Sequence, residues 1–342
     1  MRIISADLDA AVDARVISAQ QAADLWRFLQ ERGADQPGFK LSHLLYYLGG
    51  LLAIGALSLF ITLAWETLGG WGLCAIALLY MLLGVGLTEY LLARQLKIPA
   101  GLTAALVVSL TPLAVYGLQR GLGLWEDEAV YQEYHQLISW RWILMELATL
   151  ALGAVALWRY RLPFLLMPVA VTLWYMSMDL APFLFGVELT WELRRDVSMW
   201  FGLGMLALAL AVDLRFGRRL DFAFWLYLFG TLAFWCGLTL RNSDSELAKF
   251  LYFLINLFLV FIGAALRRRV LTVFGGLGMA TYLGYLAYDV FRFSLLFPVV
   301  LSFIGFGVIW LGIVWQRHEA RLGGSLRALL PARLRQVIEV GD

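Results

Sequence analysis

Long apolar stretches separated by short polar gaps fill the chain from residue 44 to residue 316. An α-helix needs about 20 mainly apolar residues to cross about 30 Å of hydrocarbon. The stretches lack the alternation of period two that marks the strands of a membrane β-barrel, so the pattern predicts helices. Ten stretches qualify, near residues 44–65, 69–92, 98–119, 141–158, 162–186, 197–215, 221–240, 247–266, 269–292 and 294–316. We therefore predict a ten-span transmembrane domain over 44–316.

Basic residues collect on one side of these predicted spans. If the N-terminus is cytoplasmic, 20 of the 27 Lys and Arg residues fall on the cytoplasmic side. Cytoplasmic loops of membrane proteins carry such an excess of Lys and Arg. The pattern predicts an all-α, polytopic membrane bundle of about ten transmembrane helices with both termini in the cytoplasm (N-in/C-in).

The composition agrees with a membrane-embedded chain. Of the 342 residues, 61% are hydrophobic and 15% are charged, whereas a soluble domain carries about 25% charged residues. The net charge of +2 gives no basic patch of the kind that binds nucleic acid, so no nucleic-acid partner is expected. The expected partner is membrane lipid, with anionic headgroups at the arginines of the inner face.

Three segments lie outside the predicted spans. Residues 1–43 are predicted to form a short cytoplasmic helical segment, because Ser18 and Gln21 have the spacing of a capping box. Residues 121–140 alternate acidic and aromatic side chains and predict an amphipathic helix on the outer surface. Residues 317–342 form a basic amphipathic tail, expected to rest on the inner leaflet in the cytoplasm.

The N-terminal third carries a recognisable pattern. It combines the turn Ile17-Ser18-Ala19-Gln20-Gln21-Ala22 with the pair Gly49-Gly50 and a first span that ends at Trp65. With these features, residues 8–32 and 41–71 resemble a bacterial family of predicted membrane proteins, domain of unknown function 2157. The resemblance implies a multi-pass protein of the bacterial inner (cytoplasmic) membrane. It brings no activity and no catalytic residue.

Three acidic residues stand out inside predicted spans, because a charged group costs a few kcal/mol at the bilayer centre. They are Glu146 in the fourth span, Asp179 in the fifth and Asp289 in the ninth. At a rise of about 1.5 Å per residue, all three fall within about 10 Å of the outer boundary. The sharp hypothesis is an outward-facing polar vestibule between these three spans, whose acids bind a cation or relay protons. The alternative is that each acid reaches water or makes one structural ion pair.

The helical faces of these acids supply further candidates for a solute or ion pathway. Asp179 shares a face with Thr172 and Tyr175, on a helix interrupted by prolines. Asp289 shares a face with Tyr285 and has Arg292 three residues later, at the spacing of an ion pair. Near Glu146, the hydroxyl of Thr149 is expected to bond the carboxylate or a neighbouring helix.

Other charged, aromatic and small residues are interpreted as structural. Near the inner ends, Glu89 and Asp213 are expected to pair with Arg94 and Arg215. Tryptophans near the helix ends, Trp142 and Trp191 among them, are interpreted as interfacial belts. Both cysteines, Cys74 and Cys236, are expected to be small buried apolar side chains. Three small residues of the ninth span predict a tight packing face: Gly276, Ala280 and Gly284.

No catalytic constellation, metal site or cofactor motif is recognised in the sequence. The leading functional hypothesis is transport of a small solute or ion through the outer-leaflet polar cavity. A second hypothesis is a non-catalytic scaffold or sensor that acts through the cytoplasmic helical segment. A third, an integral-membrane enzyme acting on lipid, has the least support because the sequence shows no pairing of a nucleophile with a base.

Overall fold

The chain is described by a computed structural model. The residues described are 11–14, 16–33, 68–125, 140–185, 190–216, 221–241 and 245–286, with isolated positions near both ends. All regular structure within these ranges is helical, which confirms the all-α class. The helices are α1 (Ala19–Gly33), α2 (Gly69–Ala93), α3 (Lys97–Ser109), α4 (Thr111–Gly121), α5 (Trp140–Tyr160), α6 (Leu166–Phe185), α7 (Trp191–Phe216), α8 (Ala223–Thr239), α9 (Glu246–Ala265) and α10 (Arg269–Tyr285).

The helices from α2 onward pack in an order close to their order in the chain. Helix α2 packs on α3 and α4, α4 packs on α5, and α5 packs on α6. Helix α6 then contacts both α7 and α8, and α8 contacts α10, which pairs with α9. The most extensive contact is that of α7 with α8. Short connections therefore place consecutive helices side by side, as the short gaps in the sequence predict.

Six apolar segments in the described part of the chain are long enough to cross a membrane. They are Gly69–Ala93, Lys97–Gly121, Trp140–Tyr160, Pro163–Ala181, Trp191–Arg215 and Glu246–Ala265, and each overlaps one predicted span. Helices α8 and α10, which overlap the predicted seventh and ninth spans, are shorter, with 17 residues each. The predicted first and tenth spans lie mostly outside the described residues. Several membrane-length helices of a multi-pass bundle are thus present.

The second of these segments is interrupted at Leu110, which ends α3 and precedes α4. Pro112 stands in the first turn of α4. Proline has no backbone N–H to donate to the carbonyl four residues earlier, so it favours a new helix start over a continuous helix. The interruption lies beside the cavity described below, where Pro112 forms part of the wall.

Glycine residues allow the closest helix pairs to approach. A Cβ atom on Gly202 of α7 would overlap the backbone nitrogen of Phe234 on α8, and one on Gly230 of α8 would make a tight contact with α7, 3.1 Å from the Leu206 nitrogen. Gly70 of α2 and Gly117 of α4 approach backbone atoms of each other's helices. Small residues at such contacts let helix backbones pack closely in lipid, where apolar surface alone gives no driving force.

The packing face predicted for α10 is wrong, because a neighbouring face of the helix contacts α9. Gly276 and Gly284 have no atom within 4 Å of a built Cβ, and Ala280 is exposed. The contact with α9 is made instead by Gly275 and Gly278, which lie against the fully buried Asn256. The Asn256 amide donates to the carbonyl of Tyr252 at 2.8 Å. The bulky polar residue on α9 selects which glycines of α10 face it.

A buried cation joins three helices at the end of the bundle where α7 ends and α8 begins. The guanidinium of Arg268, just before α10, donates to both carboxylate oxygens of Asp213 on α7. It also donates to both oxygens of Asp221, at 2.7 and 2.9 Å. Arg268 and Asp213 are only 7% and 5% exposed. This bidentate arrangement satisfies most of the guanidinium donors inside the protein.

Two of the ion pairs expected from the sequence are therefore wrong. Asp213 pairs with Arg268 across helices, not with Arg215 on its own helix. Glu89 of α2 accepts hydrogen bonds from Arg159 and Tyr160 of α5, at 3.2 and 3.0 Å, in place of the expected Arg94. In both cases the acid pairs with a residue on another helix and not with the nearby arginine on its own helix. Helix packing has already fixed the backbone of the distant partner, so the pair forms without a further loss of backbone entropy.

The capping box predicted in the N-terminal segment is confirmed. The Ser18 backbone N–H donates to Gln21 Oε1 at 2.9 Å, and the Gln21 N–H donates to Ser18 Oγ at 3.2 Å. These bonds satisfy two donors at the start of α1. The amphipathic helix predicted within 121–140 falls largely on residues 126–139, outside the described part, as does the tail 317–342.

The α7–α8 contact can be tested with a pair of glycines on one helix. Gly202→Ala places a methyl group against the backbone of α8 and should lower the free energy of unfolding by about 1–3 kcal/mol. Gly204→Ala is the matched control, since nothing lies within 4 Å of its built Cβ. Thermal unfolding of the purified variants in detergent measures both. Equal melting temperatures for the two variants would refute the close contact.

Candidate functional site

A cavity of about 700 Å³ lies among the helices at the end of the bundle where α5 and α7 begin and α8 ends. Its walls come from α5, α6, α7 and α8, with Pro112 of α4. The polar and charged lining residues are Glu146, Thr149, Thr172, Asp179, Arg194, Arg195 and Ser198. The apolar and aromatic ones are Pro112, Trp142, Met145, Val171, Trp174, Tyr175, Met178, Trp191, Cys236, Gly237 and Leu240. A mostly apolar wall with a few polar groups is typical of small-molecule sites.

The cavity extends from the helix ends to about half the length of a span. Leu240, directly after α8, and Trp191, the first residue of α7, mark one end of the lining. Thr149 lies nine residues into α5, which corresponds to about 14 Å along the helix axis. Because the hydrocarbon core is about 30 Å thick, the deepest residues lie near the midpoint of a spanning helix.

Glu146 is the most deeply placed acidic residue of the lining. It is only 7% exposed, and its Oε2 atom is buried with no hydrogen-bond partner among the described atoms. Asp179, on the neighbouring helix, lies close enough to act on it electrostatically. The sequence predicts that the Thr149 hydroxyl bonds this carboxylate or a neighbouring helix. The hydroxyl instead donates to the Met145 carbonyl of its own helix at 2.7 Å. Glu146 thus lines the cavity with one carboxyl oxygen, Oε2, that has no hydrogen-bond partner among the described residues.

The second wall repeats the helical face expected from the sequence. Thr172, Tyr175 and Asp179 of α6 all line the cavity, as their spacing on one face predicts. Gly153 of α5 packs against Val169 of α6, which brings the two acid-bearing helices together beyond the cavity. The fourth and fifth predicted spans therefore meet at one site, with Glu146 and Asp179 on adjacent walls.

The third wall contains two arginines that sequence reasoning placed outside the membrane. The sixth span was predicted to begin at residue 197, yet α7 begins at Trp191. Thr190 caps it, because the Leu193 N–H donates to Thr190 Oγ1 at 3.2 Å. This start carries Arg194 and Arg195 into the helix and onto the cavity wall. A threonine followed by an acid in the first turn is a sequence signal for a helix start. The charged residues around it lower the local hydropathy, so the hydropathy pattern places the start of the span too late.

Hydrogen bonds hold parts of this wall in place. Arg195 donates to the carbonyl of Leu240 at 3.3 Å, which ties the start of α7 to the end of α8. The Trp174 indole N–H donates to Ser198 Oγ at 2.8 Å, and Ser198 donates to the Ala233 carbonyl at 3.0 Å. These bonds link α6, α7 and α8, so the aromatic wall has a defined orientation.

Two tryptophans and one cysteine have positions that the sequence did not reveal. Trp142 and Trp191, interpreted as interfacial belt residues, also line the cavity. Cys74 is buried as expected, whereas Cys236 is half-buried and belongs to the lining. A tryptophan at a helix end can lie at the membrane interface and also line the opening of a cavity. Its position in the sequence is the same in both cases, so the sequence does not distinguish them.

The remaining predicted site residues do not join this cavity in the described part of the chain. Tyr285 lies on α10, where it donates to Glu246 at 2.7 Å and accepts from Lys249 at 2.6 Å. The Lys249 ammonium also lies 4.0 Å from the centre of the Tyr285 ring. Asp289 and Arg292 are outside the described residues. The helices that close the cavity are α7 and α8, in place of the predicted ninth span.

Comparison with family models, with curated proteins and with solved structures gave no match to this chain. The resemblance of the N-terminal third to the family of domain of unknown function 2157 therefore stays a prediction.

The two cysteines, which are the only ones in the sequence, provide a direct probe of the cavity. In the Cys74→Ala variant, Cys236 should react with a small water-soluble methanethiosulfonate reagent, because it lines an open cavity. In the matched Cys236→Ala variant, the buried Cys74 should react at least tenfold more slowly. Mass spectrometry of the protein in nanodiscs measures both rates. Equal protection of the two thiols would show that the cavity is closed to water.

Proposed function

We propose that this chain is a membrane transporter that binds a small polar solute in the cavity between α5, α6, α7 and α8. The observation that carries the proposal is the carboxyl group of Glu146, which is buried, belongs to the cavity lining and has no hydrogen-bond partner at Oε2 within the part of the chain that the structure describes. A charged or polar group left unpaired in a low-dielectric interior is costly. A bound solute is the partner that would offset this cost.

The shape of the cavity supports solute binding over a purely structural role for the acids. A structural acid pairs within the protein, as Asp213 does with Arg268. Glu146, whose Oε2 atom has no hydrogen-bond partner among the described residues, instead lines a space of about 700 Å³, within the range of about 300–1,000 Å³ that small-molecule sites occupy. Access to the midpoint of a span is what a transport pathway requires, since transporter sites lie near the bilayer midplane.

The proposal includes a membrane orientation. Ten spans with both termini in the cytoplasm would direct the cavity toward the outside of a bacterial inner membrane. In support, exposed arginines lie at the opposite end of the bundle from the cavity: Arg94, Arg161, Arg267 and Arg269. Such residues favour the cytoplasmic side and attract anionic lipid headgroups.

Flux measurements in proteoliposomes test the transport proposal. We use three radiolabelled solutes that cross bilayers slowly: choline as a cation, alanine as a zwitterion and glucose as a neutral molecule. At least one should enter faster with the protein than without it. Asp179→Asn should reduce that flux at least threefold, because the mutation removes a charge from the cavity wall.

The matched control is Glu89→Gln, which changes a carboxylate that pairs with Arg159 and Tyr160 away from the cavity. This variant should keep the wild-type flux. Entry of all three solutes at the protein-free rate would overturn the proposal. Flux that is equal in the wild type and Asp179→Asn would also overturn it.

A further inference from the structure

We propose that the cavity selects organic monocations, molecules with one ammonium group on an apolar or aromatic body, and that the ammonium group binds at Glu146. This inference rests on the proposed function, because it names the class of solute for the same cavity. It follows from three properties of the lining: the buried Glu146, whose Oε2 atom has no hydrogen-bond partner among the described atoms, an extensive aromatic and apolar wall, and the contacts of the nearby cation Arg195 with Leu240 and Asp196.

The charge of the ligand follows from Glu146. The residue is more than nine-tenths buried, and its Oε2 atom has no donor among the described atoms. An ionised carboxylate only accepts hydrogen bonds, and an ammonium group offers three donors and the opposite charge. The Thr149 hydroxyl beside it is already committed to the Met145 carbonyl. The complementary group is therefore a cation supplied from the cavity.

The body of the ligand follows from the other walls. Trp142, Trp174 and Tyr175 line the cavity together with Met145 and Met178. Aromatic faces attract ammonium groups and bury apolar rings. The Trp174 side chain is fixed by its bond to Ser198, so this surface is already in place before a ligand binds. A ligand with an apolar or aromatic body fits such a wall better than a sugar does.

A bare divalent metal ion fits the site less well. Ca²⁺ takes six to eight oxygen ligands, and Mg²⁺ takes six in a near-ideal octahedron. Within the ranges that the structure describes, no group of three or more His, Cys, Asp and Glu side chains is placed to hold a metal ion. The cavity volume of about 700 Å³ also far exceeds what a metal ion fills. An organic cation uses both the carboxyl group and the large apolar wall.

A single positive charge, without a carboxylate on the ligand, follows from the state of Arg195. Its Nη1 atom donates to the Leu240 carbonyl, and its Nε atom lies 3.9 Å from the Asp196 carboxylate without a hydrogen-bond partner among the described atoms. A ligand carboxylate at this position would compete with both contacts. Because the Asp196 carboxylate lies beside Arg195, we expect an amine to bind better than the corresponding amino acid.

Equilibrium binding to the purified full-length protein in nanodiscs tests this inference, with empty nanodiscs subtracted. The probe is radiolabelled 2-phenylethylamine, which is protonated at neutral pH. Its neutral isostere 2-phenylethanol and the zwitterion phenylalanine serve as competitors. The amine should bind at least tenfold more tightly than either competitor, because charge-assisted hydrogen bonds are the strong ones.

Variants locate the charge preference. Glu146→Gln keeps the side-chain shape and should abolish the preference for the amine over the alcohol. Glu146→Asp keeps a carboxyl group and should show part of the wild-type preference. Glu89→Gln, the matched control outside the cavity, should keep the full preference. The comparison of the three ligands on the wild type needs no variant, so it stays decisive if Glu146→Gln fails to fold.

The outcomes separate this inference from the proposed function. Equal binding of amine and alcohol, tighter binding of phenylalanine, or an unchanged preference in Glu146→Gln would each overturn the inference. If the amine binds with the expected preference but no solute crosses the membrane, transport is wrong and the ligand class stands. If flux through the cavity is observed but the amine shows no advantage, transport stands and the ligand class is wrong.

Discussion

In the hydrocarbon of a bilayer, a polar group must be satisfied inside the protein, by water that enters a cavity or by a molecule bound there. The two buried acids of this bundle meet that constraint differently. Asp213 is held by the guanidinium of Arg268, which Asp221 also binds. Glu146 is equally buried, yet its Oε2 atom has no partner within the described residues. The difference separates an acid that joins helices from one that is available to a ligand.

The packing of the helices explains why space remains around Glu146. Glycines allow the α2–α4 and α7–α8 pairs to approach until backbone atoms meet. Between them, α5 and α6 carry larger side chains, and the cavity opens where these two helices face α7 and α8. The break before α4 adds Pro112 to the wall. Close contacts on two sides thus leave a cavity with a few polar groups between them, and the bond between Trp174 and Ser198 fixes the orientation of one of its walls.

Much of this architecture could be predicted from the sequence, because apolar runs of span length and the helical repeat depend only on residues close together in the chain. They predicted the six long helices, the capping box at Ser18 and the shared face of Thr172, Tyr175 and Asp179. Ion pairs between helices could not be predicted in this way. The pairing of Asp213 with Arg268 depends on which helices are neighbours in the folded bundle. The arginines of the cavity wall were missed for a different reason, since a charged first turn at Trp191 resembles a loop when hydropathy alone is used.

The contrast between the two buried acids can be measured directly through the isosteric variants Glu146→Gln and Asp213→Asn, by thermal or denaturant unfolding without added ligand. Removing the charge of Asp213 weakens its bonds to Arg268 and should lower the free energy of unfolding by about 1.5–3 kcal/mol. Replacing the Glu146 carboxyl group by an amide should leave stability unchanged or raise it, because Oε2 has no hydrogen-bond partner among the described residues. A similar loss of stability in both variants would show that Glu146 is already paired within the protein and would contradict the account.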